Sequence, residues 1–201
     1  MASWLGWLAL AFSLPLVLMA LAAAVHIALG GIIAPSPAIG YVLLVLANFF
    51  LVFLVGGPLA EELGWRGFGL PILQNHYNWR MASLILGVVW GAWHLPLFFS
   101  DGTSQNRNQL TLFSLSVVAT SVLFAWLVNH MSGGVKKALI LHTAINTWPT
   151  IIPVLPTDEN YQPYALMVAL GLLTQPKVVA TKKSRHFVVK SERCTKRQGQ
   201  K

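Results

Sequence analysis

Apolar positions run almost without interruption through the first sixty residues and then recur in stretches long enough to cross a bilayer. The windows 1–60, 81–100, 108–135 and 138–157 contain no Asp, Glu, Lys or Arg, and a spanning helix needs about 20 mainly apolar residues. The first window is long enough for two helices. Gly30-Gly31 and Pro35-Ser36-Pro37 form a turn-rich break within it, which divides a segment 4–29 from a segment 39–59. Two further segments, 81–99 and 110–128, are separated by the polar loop 100–108. A fifth, 138–155, carries His142, Asn146, Pro149 and Pro153 inside it, and a sixth, 164–173, is so short that it spans only by recruiting Gln175, Pro176 and their neighbours. The pattern predicts an all-α fold, a polytopic transmembrane helix bundle of about six hydrophobic segments over residues 1–176, followed by a basic C-terminal tail, 177–201.

Composition agrees with a bilayer setting. Apolar residues make up 55% of the chain, its mean hydropathy is +0.62, and only 10% is charged, against about 25% in soluble domains. The formal charge of +8 looks at first like a nucleic-acid footprint, but nine of the fourteen Lys and Arg lie from Lys177 onward, opposed there by Glu192 alone. With the tail set aside the body is balanced, so no nucleic-acid partner is expected. A basic segment beside a membrane is instead drawn to anionic headgroups. The expected partner is the lipid bilayer.

Placing the tail on the cytoplasmic side puts Lys136-Lys137, Arg66 and Arg80 inside and Asp158-Glu159 outside if all six segments cross, and leaves Arg107 as the one base on the disfavoured side. A plasma membrane with a cytoplasmic C-terminal tail is therefore the expected location. No positive region precedes the first segment, so a cleaved signal peptide is not expected. The single cysteine, Cys194, excludes an intramolecular disulfide framework.

Polar groups inside such segments are costly and mark function by default. Three clusters stand out. In the first, Gly56-Gly57-Pro58 ends one helix and can start another, and Glu61-Glu62 follows. Counted from Pro58, Glu62 and Arg66 share a face as an i,i+4 ion pair, whereas Glu61 points roughly 100° away with no partner in its own helix. In the second, His94 lies deep in an apolar segment after Trp90, with Pro96 behind it. In the third, His142 and Asn146 share a face at i and i+4.

One unpaired carboxylate, two imidazoles and a carboxamide supply a general base, a proton partner and hydrogen-bond donors, the inventory for water attack on an amide. Two His and one Glu are also the three protein ligands of a catalytic zinc site, so Glu61, His94 and His142 are candidate metal ligands and zinc stays open. The sequence has no His-Glu-x-x-His and no Gly-x-Ser-x-Gly, and Cys194 lies in the tail, which disfavours a nucleophilic serine or cysteine. The same clusters could instead glue helices together, the alternative being a non-catalytic membrane interaction or immunity-type protein.

The three clusters resemble, in order, the motifs of the CAAX-protease and bacteriocin-processing (CPBP, or Abi) intramembrane proteases, which include the type II CAAX prenyl endopeptidases. Glu61-Glu62-Leu63-Gly64-Trp65-Arg66 looks like the family's Glu-Glu-x-x-x-Arg. Trp90 to His94 looks like its aromatic-x-x-x-His, with Trp where Phe is common, and His142 to Asn146 like its His-x-x-x-Asn. The resemblance covers about residues 40–157. It implies an intramembrane endopeptidase in which Glu61 and His94 activate water, His142 and Asn146 stabilise the oxyanion, and Glu62 and Arg66 support the site. It also implies a peptide or prenylated-peptide substrate, and it leaves a glutamate-type and a metal-dependent course both open. The family usually has about eight helices with more chain ahead of its first motif, whereas here two segments precede Glu61 and the last gives way to a basic tail, so a chain shortened at either end is expected.

Overall fold

The computed structural model describes residues 4–34, 36, 40–103, 105, 109–129, 134–155 and 160–173. Among these there is no strand. Eight α-helices follow in order: α1 (Trp4–Ala28), α2 (Val42–Val55), α3 (Pro58–Glu62), α4 (Leu70–His76), α5 (Trp79–Trp93), α6 (Leu110–Asn129), α7 (Val135–Thr147) and α8 (Gln162–Leu173). Large apolar side chains cover the outside: Leu43, Val55, Phe68 and Phe99 are among the most exposed residues. A surface of that kind is stable against lipid and not against water.

Three helical stretches, Leu5–Ala28, Trp79–Phe99 and Leu110–Asn129, are long and apolar enough to cross a membrane, and Leu43–Val55 with Pro58–His76 makes a fourth if the bent pair is one span. The expected count of six is not confirmed among the described residues. Helix α7, which stands where the fifth crossing was expected, has 13 residues, about 20 Å at 1.5 Å per residue against a hydrocarbon core of about 30 Å; where the sixth was expected, α8 has 12 residues, and Gln175 and Pro176 lie outside the described residues. Proline accounts for the shortness of α7. The helix gives way at Trp148-Pro149-Thr150 to a 3-10 turn, because Pro149 has no N–H to continue the α ladder. The basic tail, Arg107 and Asp158-Glu159 lie outside the described residues.

The break ahead of Glu61 forms as the sequence implies. Gly56 closes α2 through its N–H to the Val52 carbonyl at 2.9 Å, Gly57 takes φ +100°, and Pro58 opens α3. The chain bends by 47° there. After α3 it runs through a π-helical turn, Leu63–Gly69, before resuming as α4. Such widened turns concentrate at functional sites.

Helices α5 and α6 pack tightly because Gly87 lets them: a Cβ there would stand 3.0 Å from the Cα of Val118 and the Cβ of Ser121. Small residues at a crossing permit this approach, and the Ser121 hydroxyl adds a 2.9 Å bond to the Ser83 carbonyl across the seam. Asn78 caps α5 by accepting from the N–H groups of Arg80 and Met81, both at 3.1 Å. Helix α7 runs through the middle of the bundle, and its Leu139, Leu141, Thr143 and Ala144 are buried. Around it, Ala11, Trp90, Val117, Phe124, Leu127, Ala138 and Leu141 form one apolar core. Met19, Ala23, Ala144, Trp148 and Val154 form another. The Trp148 indole donates to the Phe12 carbonyl at 2.8 Å, and His26 ties the end of α1 to the start of α8, donating to Gln162 at 3.0 Å and accepting from Asn160 at 3.2 Å.

Among the bases that the charge pattern places inside, Lys136, Lys137 and Arg66 stand on helical segments, and two of them, Arg66 and Lys137, are buried. Lys136 and Lys137 fall in the first turn of α7 rather than in a connection, and Lys137 is buried. Arg66, counted as a cytoplasmic base, is 1% exposed within the bundle. A guanidinium tolerates that position only with a counter-charge and stacking partners, and Arg66 has both.

Candidate active site

The two adjacent glutamates occupy opposite environments. Glu62 is fully buried, and its Oε1 accepts from Arg66 at 2.9 Å and from His142 Nδ1 at 2.8 Å. Glu62 Oε2 and the Nε and Nη2 atoms of Arg66 are buried without a protein partner among the described residues. The guanidinium instead lies against aromatic faces, 4.4 Å from the Trp90 ring centroid and 4.1 Å from that of Phe124. Such stacking stabilises a desolvated cation. Glu62, Arg66 and His142 thus join α3, the π-helical turn and α7 into one buried network.

Glu61 is only half-buried. Its Oε2 accepts from the Trp90 indole N–H at 2.8 Å, so the partner missing from its own helix comes from α5. Its Oε1 lies against Gly57, where an added Cβ would come within 2.7 Å. The positive φ of Gly57 and the absence of a side chain there set where the carboxylate can lie.

His94 follows the end of α5, where the chain turns into a 3-10 segment, Leu95–Phe99, with Pro96 in its first turn. The backbone N–H of His94 bonds to Gly91 at 3.1 Å rather than to Trp90. The freed Trp90 carbonyl accepts from His94 Nδ1 at 2.8 Å. A carbonyl can only accept, so Nδ1 carries the proton and the neutral ring presents Nε2 as its basic atom. His142 is fixed in the same sense, with Nδ1–H toward the Glu62 carboxylate and Nε2 turned away. A hydrogen bond from one ring nitrogen to a fixed acceptor orients a reactive imidazole and sets its tautomer.

Trp90 is where the groups meet. Its ring centroid lies 5.9 Å from that of His94 and 5.4 Å from that of His142. The structure therefore gathers Glu61, Glu62, Arg66, His94 and His142 about one indole, although they come from three separate stretches of chain. Phe113 closes on His94 at 5.3 Å and Phe124 on His142 at 5.9 Å. Asn146, one turn beyond His142, is exposed and contributes no hydrogen bond to this cluster. The zinc reading fits less well. Among the described residues no group of three or more His, Cys, Asp or Glu is placed to hold a metal ion, so Glu61, His94 and His142 do not form a common ligand set in this arrangement.

The sequence pattern did not reveal the bond from Trp90 to Glu61 or the stacking of Phe124 on Arg66. Trp90 is four residues before His94 and so on the same helix face, which was the available signal; its direction toward Glu61 depends on how α3 meets α5.

Residues 43–148, a little over half of the chain, match the type II CAAX prenyl endopeptidase Rce1-like family. The chain belongs to this family. The three polar clusters, from Glu61 to Asn146, fall inside the matched span. The CAAX prenyl protease 2 of Methanococcus maripaludis is 34% identical over 92 residues, which cover 43% of this chain and 34% of that protein. The chain thus spans about a third of the length of this curated relative. Membership in the Rce1-like family, together with the apolar surface and spanning helices, makes this an integral membrane protein.

Proposed function

We propose that the chain is an intramembrane endopeptidase that hydrolyses a peptide bond presented at or within the bilayer, a prenylated CAAX-type peptide being the first substrate to test. The observation that carries this reading is the contrast between the two acids. Glu62 is fully buried and committed to Arg66 and His142, whereas Glu61 keeps one oxygen without a hydrogen bond among the described residues, at the edge of the same aromatic cluster as His94. A carboxylate so placed can accept a proton from water while remaining oriented.

In the proposed course, Glu61 takes a proton from a water held between it and Nε2 of His94, and the hydroxide attacks the scissile carbonyl. In the reacting form His142 is an imidazolium, its Nδ1–H held by the Glu62 carboxylate, and its Nε2–H and the side-chain amide of Asn146 donate to the oxyanion. Glu61 then returns the proton to the departing amine. No step passes through a metal. The basic excess from Lys177 onward supports a cytoplasmic tail and a plasma-membrane location.

The test is release of the C-terminal residues from a farnesylated Cys-aliphatic-aliphatic-X reporter peptide by protein in liposomes, followed by mass spectrometry. Cleavage that persists in strong chelator is expected, and Asn146→Ala should slow it by about 10²–10³-fold, as loss of an oxyanion donor does. Chelator-abolished cleavage restored by zinc would overturn the metal-free course; no cleavage of this reporter or of an unprenylated peptide library would overturn the function.

Gly57→Ala gives a second check. The substitution adds about 1–3 kcal/mol of backbone strain at a positive φ and pushes the Glu61 carboxylate from its place beside Trp90. Displacements on the order of 1 Å can cost about 10²-fold in rate, so activity should fall far more than the melting temperature. An alanine variant cleaving at the wild-type rate would mean that Gly57 does not set the position of Glu61.

A further inference from the structure

We infer that Trp90 is a positioning residue for Glu61, acting through its indole N–H; this rests on the assignment of Glu61 as the base that activates water. The motif in which Trp90 stands asks only for an aromatic ring, and ring packing explains its contacts with Phe124, His94 and His142. Packing does not explain the 2.8 Å bond from Nε1 to Glu61 Oε2. The indole is the donor to that carboxylate among the described residues, and it comes from α5 rather than from the glutamate's own helix.

The ring cannot turn freely to break this bond. Trp90 is 5% exposed, with the Arg66 guanidinium 4.4 Å from its ring centroid and aromatic or imidazole rings around it. A donor locked by its surroundings holds the acceptor in one orientation, which is how a supporting contact pre-organises a reacting group. With Oε2 tethered, the Glu61 oxygen left to take a proton is Oε1, on the Gly57 side. Trp90 also accepts the Nδ1–H of His94 through its backbone carbonyl, so a single residue fixes the carboxylate by its side chain and the imidazole by its main chain. The backbone half of this arrangement survives any substitution at the position, so side-chain variants isolate the N–H.

The experiment measures kcat and KM on the farnesylated reporter peptide with the full chain in liposomes, comparing wild type, Trp90→Phe and protein carrying β-(3-benzothienyl)alanine at position 90. The benzothienyl ring keeps the shape of indole and replaces its N–H with sulfur. Both variants should lose about 10–100-fold in kcat, the range of a hydrogen bond to a charged group, with KM unchanged and, for the benzothienyl variant, an unchanged melting temperature. The benzothienyl measurement decides the matter if Trp90→Phe fails to fold. Wild-type kcat in the benzothienyl protein overturns the inference, as does an effect confined to KM or a loss of activity matched by a loss of folded protein. Those outcomes leave the functional reading standing. A wild-type protein that cleaves nothing, or a Glu61→Gln variant as active as wild type, overturns the functional reading and this inference together.

Discussion

Arg66→Ala should remove most of the folded protein. The guanidinium is the counter-charge of a fully buried carboxylate at 2.9 Å, and breaking one half of a buried pair leaves an uncompensated charge costing about 3–5 kcal/mol. That is a large share of the roughly 5–15 kcal/mol by which proteins are stable. Packing adds to the loss, since the planar group lies against both Trp90 and Phe124. Size-exclusion chromatography and thermal melting in detergent read the effect, and Glu62→Gln should fall in the same direction by stranding Arg66. Replacing both charges, as Glu62→Leu with Arg66→Met, should recover much of the stability, because a well-packed apolar pair can substitute for a buried ion pair. It should not recover activity, because His142 then has nothing to hold its Nδ1. Wild-type melting in Arg66→Ala would mean that the pair does not support the fold.

His94→Ala should do the reverse, leaving the fold and stopping the chemistry. The imidazole is only partly buried at the end of α5, and its side-chain hydrogen bond is to a backbone carbonyl at 2.8 Å. Its removal therefore strands no charge. Loss of a proton-transfer partner typically costs about 10²–10⁴-fold in rate, so initial rates on the reporter peptide should fall by that factor while the melting temperature holds. Cleavage at the wild-type rate would remove His94 from the mechanism.

The parts of this architecture set by local pattern could be read from the chain. Apolar runs located α1, α5 and α6, Gly56-Gly57-Pro58 located the bend, and i,i+4 spacing paired Glu62 with Arg66, each within a few residues of sequence. What could not be read depends on how helices meet. The length of α7 follows from where Pro149 interrupts it and from what packs around it, so an apolar window of spanning length yielded a 13-residue helix. Charge counting placed Arg66 and Lys137 on the cytoplasmic side because it assumes that bases sit in water, and so did not show their burial; for Arg66, a carboxylate four residues away and two aromatic faces from other helices reverse that preference. His94 and His142 lie at different heights along their own helices when counted from the nearest basic residues. Their approach to one indole comes from the packing of both α5 and α7 against α6, which leaves no trace in periodicity.

The most direct test compares initial rates of reporter cleavage by wild type and Glu61→Gln at equal amounts of folded protein in liposomes. Glutamine keeps the shape of the side chain and can still accept from the Trp90 N–H, but it cannot take a proton from water. The account predicts an unchanged melting temperature and a rate lower by on the order of 10²–10⁴-fold. Glu61→Gln protein that cleaves at the wild-type rate would contradict it, and would leave the polar cluster as a device for packing helices.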